Sequence, residues 1–159
     1  MIGKLNPEEI ENVLNEDIIG RIGCHASDDV YVVPVSYAYD GEYIYVRSFE
    51  GKKIEIMRKN PKICFQVDRM KDMANWQSVI AFGQFEEIID ANERKAALEV
   101  LVNRKLPAMS SETTHLGSTW PFQSDDLNTI EGVVFRVLLK DKTGRFERSG
   151  AAPEVLYYK

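Results

Sequence analysis

Apolar and polar positions change period several times along this chain, and each change marks an element. Asn6-Pro7-Glu8-Glu9 offers a cap candidate, proline at the first helical position and an acidic first turn. Ile10, Val13 and Leu14 then recur at helical spacing, which predicts a short amphipathic helix to about Asn15. Ile18 to His25 reads as a strand, Ser27-Asp28-Asp29 as a turn, and Val30 to Tyr39 alternates apolar and small residues around Pro34. Proline removes a ladder donor, so this strand belongs at an edge, a bulge or an opening in the sheet. Asp40-Gly41 is a strong hairpin signal. The return strand, Glu42 to Ser48, sets Tyr43, Tyr45 and Arg47 on one face and Ile44 and Val46 on the other.

The period becomes helical from Lys52 to Lys59, where Ile54, Met57 and Arg58 align, and Asn60-Pro61 ends that helix. Lys62 to Asp68 alternates again, with Ile63, Phe65 and Val67 toward the core. Trp76 to Ile89 predicts a long strand bent at Gly83. Asp90-Ala91-Asn92-Glu93 resembles a capping box and opens a helix with the apolar stripe Ala97, Leu98, Leu101 and Val102. Leu106 to Asn128 has no clean period. Thr129 to Leu139 returns to strand, and Lys142-Thr143-Gly144 predicts a turn into a short C-terminal strand. Six or seven mostly antiparallel strands with three short helices exclude regular strand–helix alternation. The expectation is a mainly β (α+β) fold, a small antiparallel barrel with peripheral short helices, forming one domain over residues 1–159.

Composition narrows the function. The 159 residues are 44% hydrophobic and 28% charged, with a net charge of −5. That balance argues against a general nucleic-acid-binding face, and the tyrosine-rich stretch Tyr31, Tyr37, Tyr39, Tyr43 and Tyr45 reads as cross-strand packing and a dimer surface. No apolar run has membrane-spanning length, and Met1-Ile2-Gly3-Lys4 lacks a signal-peptide core, so a cytoplasmic protein is expected. Cys24 and Cys64 are isolated and read as reduced thiols; no zinc-ligand set is visible and no metal is expected.

The chemistry gathers in two segments, Val33-Pro34-Val35-Ser36 and Arg47-Ser48-Phe49-Glu50-Gly51-Lys52-Lys53. A hydroxyl, cations and free amides at a helix start suit a phosphate monoester. The interrupted strand beside them offers hydrogen bonds to a planar ring, and together they point to a flavin nucleotide. No nucleophile elbow or triad-like setting is present, so no catalytic residue is assigned.

With Gly20-Arg21-Ile22, Asn60-Pro61 and Trp76-Gln77-Ser78-Val79-Ile80-Ala81-Phe82-Gly83 added, the chain resembles the flavin-nucleotide-binding split-barrel superfamily that includes pyridoxamine 5′-phosphate oxidase. The resemblance runs over residues 16 to 104 and is nearest the nitroimidazole-resistance branch. It implies an antiparallel six- to seven-stranded split β-barrel and a homodimer with FMN in two interface clefts. Val35 and Ser36 would face the isoalloxazine, and Arg47, Ser48, Lys52 and Lys53 would surround the phosphate. Trp76, Gln77, Ser78 and Val79 would come from the second subunit. Two departures stand out. Arg47 occupies a position where that branch tends to have His, and Gln77 one that is often basic. The function implied is an FMN-dependent oxidoreductase acting on a small molecule with a nicotinamide donor or oxygen. The alternatives are a flavin-binding or sensing protein without turnover and a relative that takes haem or a deazaflavin. The loop carrying His115, Trp120 and Phe122 is a candidate lid or an aromatic anchor.

Overall fold

A computed structural model describes residues 1–106, 122 and 124–150. In chain order these form β1 (Ile2–Lys4), α1 (Pro7–Glu16), β2 (Ile19–Ala26), β3 (Asp29–Ser36), β4 (Ala38–Tyr39), β5 (Tyr43–Ser48), α2 (Lys52–Lys59), β6 (Lys62–Asp72), β7 (Asn75–Glu87), α3 (Ala91–Asn103), a 3₁₀ turn (Leu127–Thr129), β8 (Val133–Leu138) and β9 (Lys140–Glu147). Every strand pairing is antiparallel. Seven strands are six residues or longer, and two short ones, β1 and β4, trim the margins.

The strand order is β3-β2-β6-β7-β8-β5-β4, with β9 lying along β7 and pairing with β1. Strand β7 is the seam. Its first part, Trp76 to Phe82, pairs with β9, and its last part, Phe85 to Glu87, pairs with β8. Between them sits Gly83, where an added Cβ would lie 2.4 Å from the carbonyl oxygen of Leu138. Only glycine lets β8 come that close, so the bend expected there is the place where one sheet becomes two. This is the split barrel. Its interior is filled by Ile22, Phe65, Val67, Val79, Ala81, Phe135 and Val137, each almost fully shielded from solvent.

The helices pack as their stripes require. Asn6 caps α1 in a reciprocal box with Glu9, both bonds 2.9 Å, and Ile10, Val13 and Leu14 are buried. At its other end the Leu14 carbonyl accepts the buried Tyr37 hydroxyl at 2.8 Å. In α3, Asp90 accepts from the amides of Asn92 and Glu93, but the reciprocal bond that would complete a box is not formed. Ala97, Leu98 and Leu101 are buried against Phe122, Ile130 and Val134, while Val102 is only partly covered.

Two expectations need correction. The apolar run from Val30 to Tyr39 is not one strand. Tyr37 breaks it, its amide donating to the Ile18 carbonyl at 2.9 Å, and β4 goes on to pair with β5 in the second sheet. Lys142, Thr143 and Gly144 are not a turn either. They lie inside β9, where Thr143 and Gly144 pair with Ile80 and Val79. The change of direction falls earlier, near Leu139 and Asp141, the latter at φ 46°. Long-range pairing with β7 overrode the local Lys-Thr-Gly signal. Of the candidate lid, Phe122 is a core residue; His115 and Trp120 lie outside the described residues.

Candidate functional site

Strand β3 stands at the end of the sheet order, so one of its edges has no strand partner among the described residues. This matches the expectation carried by Pro34. Strand β5 pairs with β4 only at Tyr45 and Ile44, and it comes near β3 without pairing with it. The region between these two unpaired edges, with Lys52 at the start of α2 reaching Asp29 and the Tyr31 ring of β3, is the candidate slot. Backbone groups along such edges need partners from outside the sheet.

Of the predicted residues, six border this slot. Val35 turns its side chain into the core, so it offers backbone only, whereas Ser36 is exposed. Ser48 is buried, its hydroxyl donating to the Phe49 carbonyl at 2.9 Å. At the start of α2, Gly51 provides no side-chain cap, and the amides of Lys52 and Lys53 have no acceptor among the described residues. A Cβ on Gly51 would meet nothing within 4 Å, so the cap position itself is open. Lys52 pairs loosely with Asp29 at 3.6 Å and stands 5.7 Å from the Tyr31 ring. Lys53 has no ion-pair partner among the described residues. Cations at a helix N-terminus oppose its dipole, and an anion would relieve both.

Arg47 is held in place. Its Nε donates to the Glu131 carbonyl at 2.7 Å, and its guanidinium lies 4.1 Å over the Phe49 ring. The neighbouring Gly132 adopts φ +106°, and an added Cβ would come within 2.6 Å of the Ser48 carbonyl oxygen. The segment before β8 can therefore lie flat against the end of β5. Glu50, the acidic residue of the loop, is neutralised by Arg58, which binds it through two bonds of 2.9 Å and also grips Glu87. The bonds from Arg58 hold the Glu87 carboxyl below its ordinary range. With Glu50 paired to Arg58, Arg47 and Lys53 have no carboxylate partner among the described residues, and Lys52 has only Asp29 at 3.6 Å.

The second group lies elsewhere on the chain. Pro34, Arg21, Gln66 and Ile80 form one row across β3, β2, β6 and β7. At ~4.8 Å per strand, β7 is therefore ~14 Å from β3. Trp76 donates its ring N–H to Glu147 at 3.0 Å, Ser78 accepts from Gln66 at 3.2 Å, and Val79 is fully buried in the core. Gln77 pairs in register with Arg69 and Phe146. The fold does not bring these four beside Arg47 and Lys53 within one chain. A concavity of about 610 Å³ lined by Tyr43, Lys62, Gly83, Leu138 and Lys140 among others contains none of the predicted site residues.

Three parts of the site escaped the sequence reading. They are Phe49, the Arg58 clasp on Glu50 and Glu87, and the Glu131 carbonyl. Only the first had a local signal: Arg47 and Phe49, two apart at a strand end, share a face.

The chain has relatives. A family profile described as pyridoxamine 5′-phosphate oxidase matches residues 6–145. The chain belongs to the pyridoxamine 5′-phosphate oxidase family. Within its fold, the crystal structure of a FAD-binding protein from Mesorhizobium loti is 31% identical, covering 92% of this chain and 98% of that one, with a TM-score of 0.68. A candidate 5-nitroimidazole antibiotic resistance protein from Bacteroides thetaiotaomicron shares the fold at 21% identity, covering 92% and 87% of the two chains, with a TM-score of 0.68. An uncharacterized protein from Rhizobium meliloti is 33% identical over 84 residues, 53% of this chain and 56% of that protein. The chain thus aligns with little more than half the length of that curated relative.

Proposed function

We propose that this member of the pyridoxamine 5′-phosphate oxidase family binds a flavin nucleotide in the slot between β3 and β5 and acts as a flavin-dependent oxidoreductase on a small molecule. The observation that carries the reading is the free backbone edge of β3 facing the uncapped, doubly cationic start of α2. The isoalloxazine lies along Val35 and Ser36, where backbone groups meet its polar edge. The phosphate of the FMN moiety is received by the amides of Lys52 and Lys53, their ammonium groups and Arg47. When bound, the flavin supplies the redox chemistry; the protein's residues position it and restrict solvent.

The active unit in this proposal is a homodimer. Ile19, Val32, Ile80 and Phe82 are exposed on the outer face of the sheet, around a polar network of Arg21, Gln66, Asp68 and Ser78. An apolar face of this kind suits a second copy. In this proposal the second copy brings its Trp76–Val79 strand over the slot, supplying the four of the ten predicted residues that lie away from it within one chain. Among the described residues no helix is long and apolar enough to cross a membrane, and Cys24 and Cys64 are free thiols.

The test is a visible spectrum of the purified protein before and after FMN addition and desalting. Retained flavin bands support the reading, and a protein that neither retains nor quenches FMN overturns it. Lys53→Ala should weaken FMN binding roughly tenfold, the scale of one charge-assisted hydrogen bond. Unchanged affinity removes Lys53 from the site.

A second reading, flavin binding without turnover, is favoured by one observation. Arg47 stands where an acid–base group would be useful, and it is occupied by the Glu131 carbonyl and the Phe49 ring. Arginine does not exchange protons near neutral pH. Sustained NADH or NADPH oxidation with an added acceptor excludes this reading.

A further inference from the structure

We propose that Arg94 of α3 is a positioning residue for the phosphate end of the slot: it fixes the segment Ile130–Gly132, whose middle carbonyl orients the Arg47 guanidinium. The inference rests on the flavin reading above and adds to it a residue that stands outside the slot.

Three consecutive carbonyls are taken by two arginines. Arg94 Nη2 donates to the Ile130 carbonyl at 2.5 Å and to the Gly132 carbonyl at 3.2 Å. Between them, the Glu131 carbonyl accepts from Arg47 Nε at 2.7 Å. One cation thus grips the residues on both sides of the carbonyl that holds the other. The fit has little slack. Gly132 stands at φ +106°, and a Cβ there would lie 3.1 Å from Arg47 Nε and 2.6 Å from the Ser48 carbonyl oxygen. A shift of this segment therefore moves Arg47.

The way Arg47 is held suits an anion. A neutral carbonyl orients the guanidinium without cancelling its charge, and it occupies Nε alone. The two terminal nitrogens of Arg47 have no acceptor among the described residues. They form the fork that binds a phosphate through two parallel bonds, and such bonds depend on the angle at which the fork is presented. The Phe49 ring supports one face of the guanidinium at 4.1 Å, Glu131 holds its edge, and Arg94 holds Glu131 in place. An arginine ordered before its ligand arrives loses less rotamer freedom on binding. Packing alone does not call for Arg94 here, because Ala97, Leu98 and Leu101 already seat α3 against Ile130 and Val134. Its bonds reach beyond that apolar contact to the turn that enters β8.

The experiment measures FMN affinity, by quenching of flavin fluorescence, for the full chain, Arg94→Met, Arg47→Ala and the double variant. Methionine keeps an apolar stem and removes the donors. Arg94→Met should weaken FMN binding roughly threefold to tenfold, the scale of coupling within one hydrogen-bond network. In the Arg47→Ala background the same change should alter affinity by less than about twofold, because the group it positions is gone. Arg94→Lys returns one donor to the carbonyls and should recover most of the affinity. Riboflavin, which lacks the phosphate, should bind Arg94→Met and the wild type equally. An equal loss in both backgrounds, or an equal loss of FMN and riboflavin, would make Arg94 a general support of the fold and overturn the proposal. So would wild-type FMN affinity in Arg94→Met. In each of these results the wild-type chain still binds FMN and the slot stands, whereas a wild-type chain that binds no FMN overturns the underlying site as well.

Discussion

Gly83→Ala tests the seam of the barrel with the addition of a single methyl group. The new Cβ would stand 2.4 Å from the Leu138 carbonyl oxygen and 2.5 Å from Val137 Cγ1. Both distances are about 1 Å inside ordinary contact. Neither neighbour can yield easily. The oxygen belongs to the backbone of β8, which is held by β5 along six register pairs, and Val137 is fully buried in the core. Overpacking by one methylene-sized group costs ~1–3 kcal/mol, and a backbone clash places this case at the upper end, ~2–3 kcal/mol. For a chain of this size that corresponds to a fall in Tm of ~4–12 °C. Thermal unfolding followed by far-UV circular dichroism reads the shift, and a urea titration gives the midpoint and slope. The loss should be concentrated where β7 meets β8, as faster amide exchange at Ile88, whose N–H donates to the Val134 carbonyl at 2.9 Å. A Tm within ~1 °C of wild type, with an unchanged urea slope, would show that β8 does not approach β7 as described, and the account of the split would fail.

Other consequences concern packing and charge. Tyr37→Phe removes the hydroxyl that satisfies a C-terminal carbonyl of α1 in the buried interior, and should cost ~1–3 kcal/mol in urea denaturation; an unshifted midpoint would mean that the Leu14 carbonyl finds another donor. Arg136 and Arg58, through side-chain hydrogen bonds, hold the Glu86 and Glu87 carboxyls below their ordinary value of 4.5. Their contribution is therefore complete above that value and lost as pH falls through the lower folded-state values. Stability should decline as pH drops below about 4.5, and Glu86→Gln/Glu87→Gln should flatten that limb of the profile. Both carboxylates are near the surface, so the effect is modest and weakens in salt; an acid limb identical in the double variant would exclude these pairs as its source.

The elements of this protein were written locally. Helical spacing and caps placed α1, α2 and α3; alternation and Asp40-Gly41 placed the central hairpin; Pro34 marked an edge and Gly83 a bend. The cationic half of the candidate site was legible for the same reason, since Arg47, Ser48, Lys52 and Lys53 are neighbours in sequence. What only the tertiary structure decided depends on which distant segment arrives alongside. The division of the Val30–Tyr39 run, and the continuation of β9 through Lys142-Thr143-Gly144, follow from pairing with strands remote in sequence. Arg47 meets a carbonyl 84 positions away, and Arg58 joins Glu50 to a glutamate 29 positions beyond it. That carbonyl holds the guanidinium over the Phe49 ring. Periodicity records which face a side chain takes, but register and close approach are settled by the packing of whole sheets, where a one-residue shift exchanges every contact.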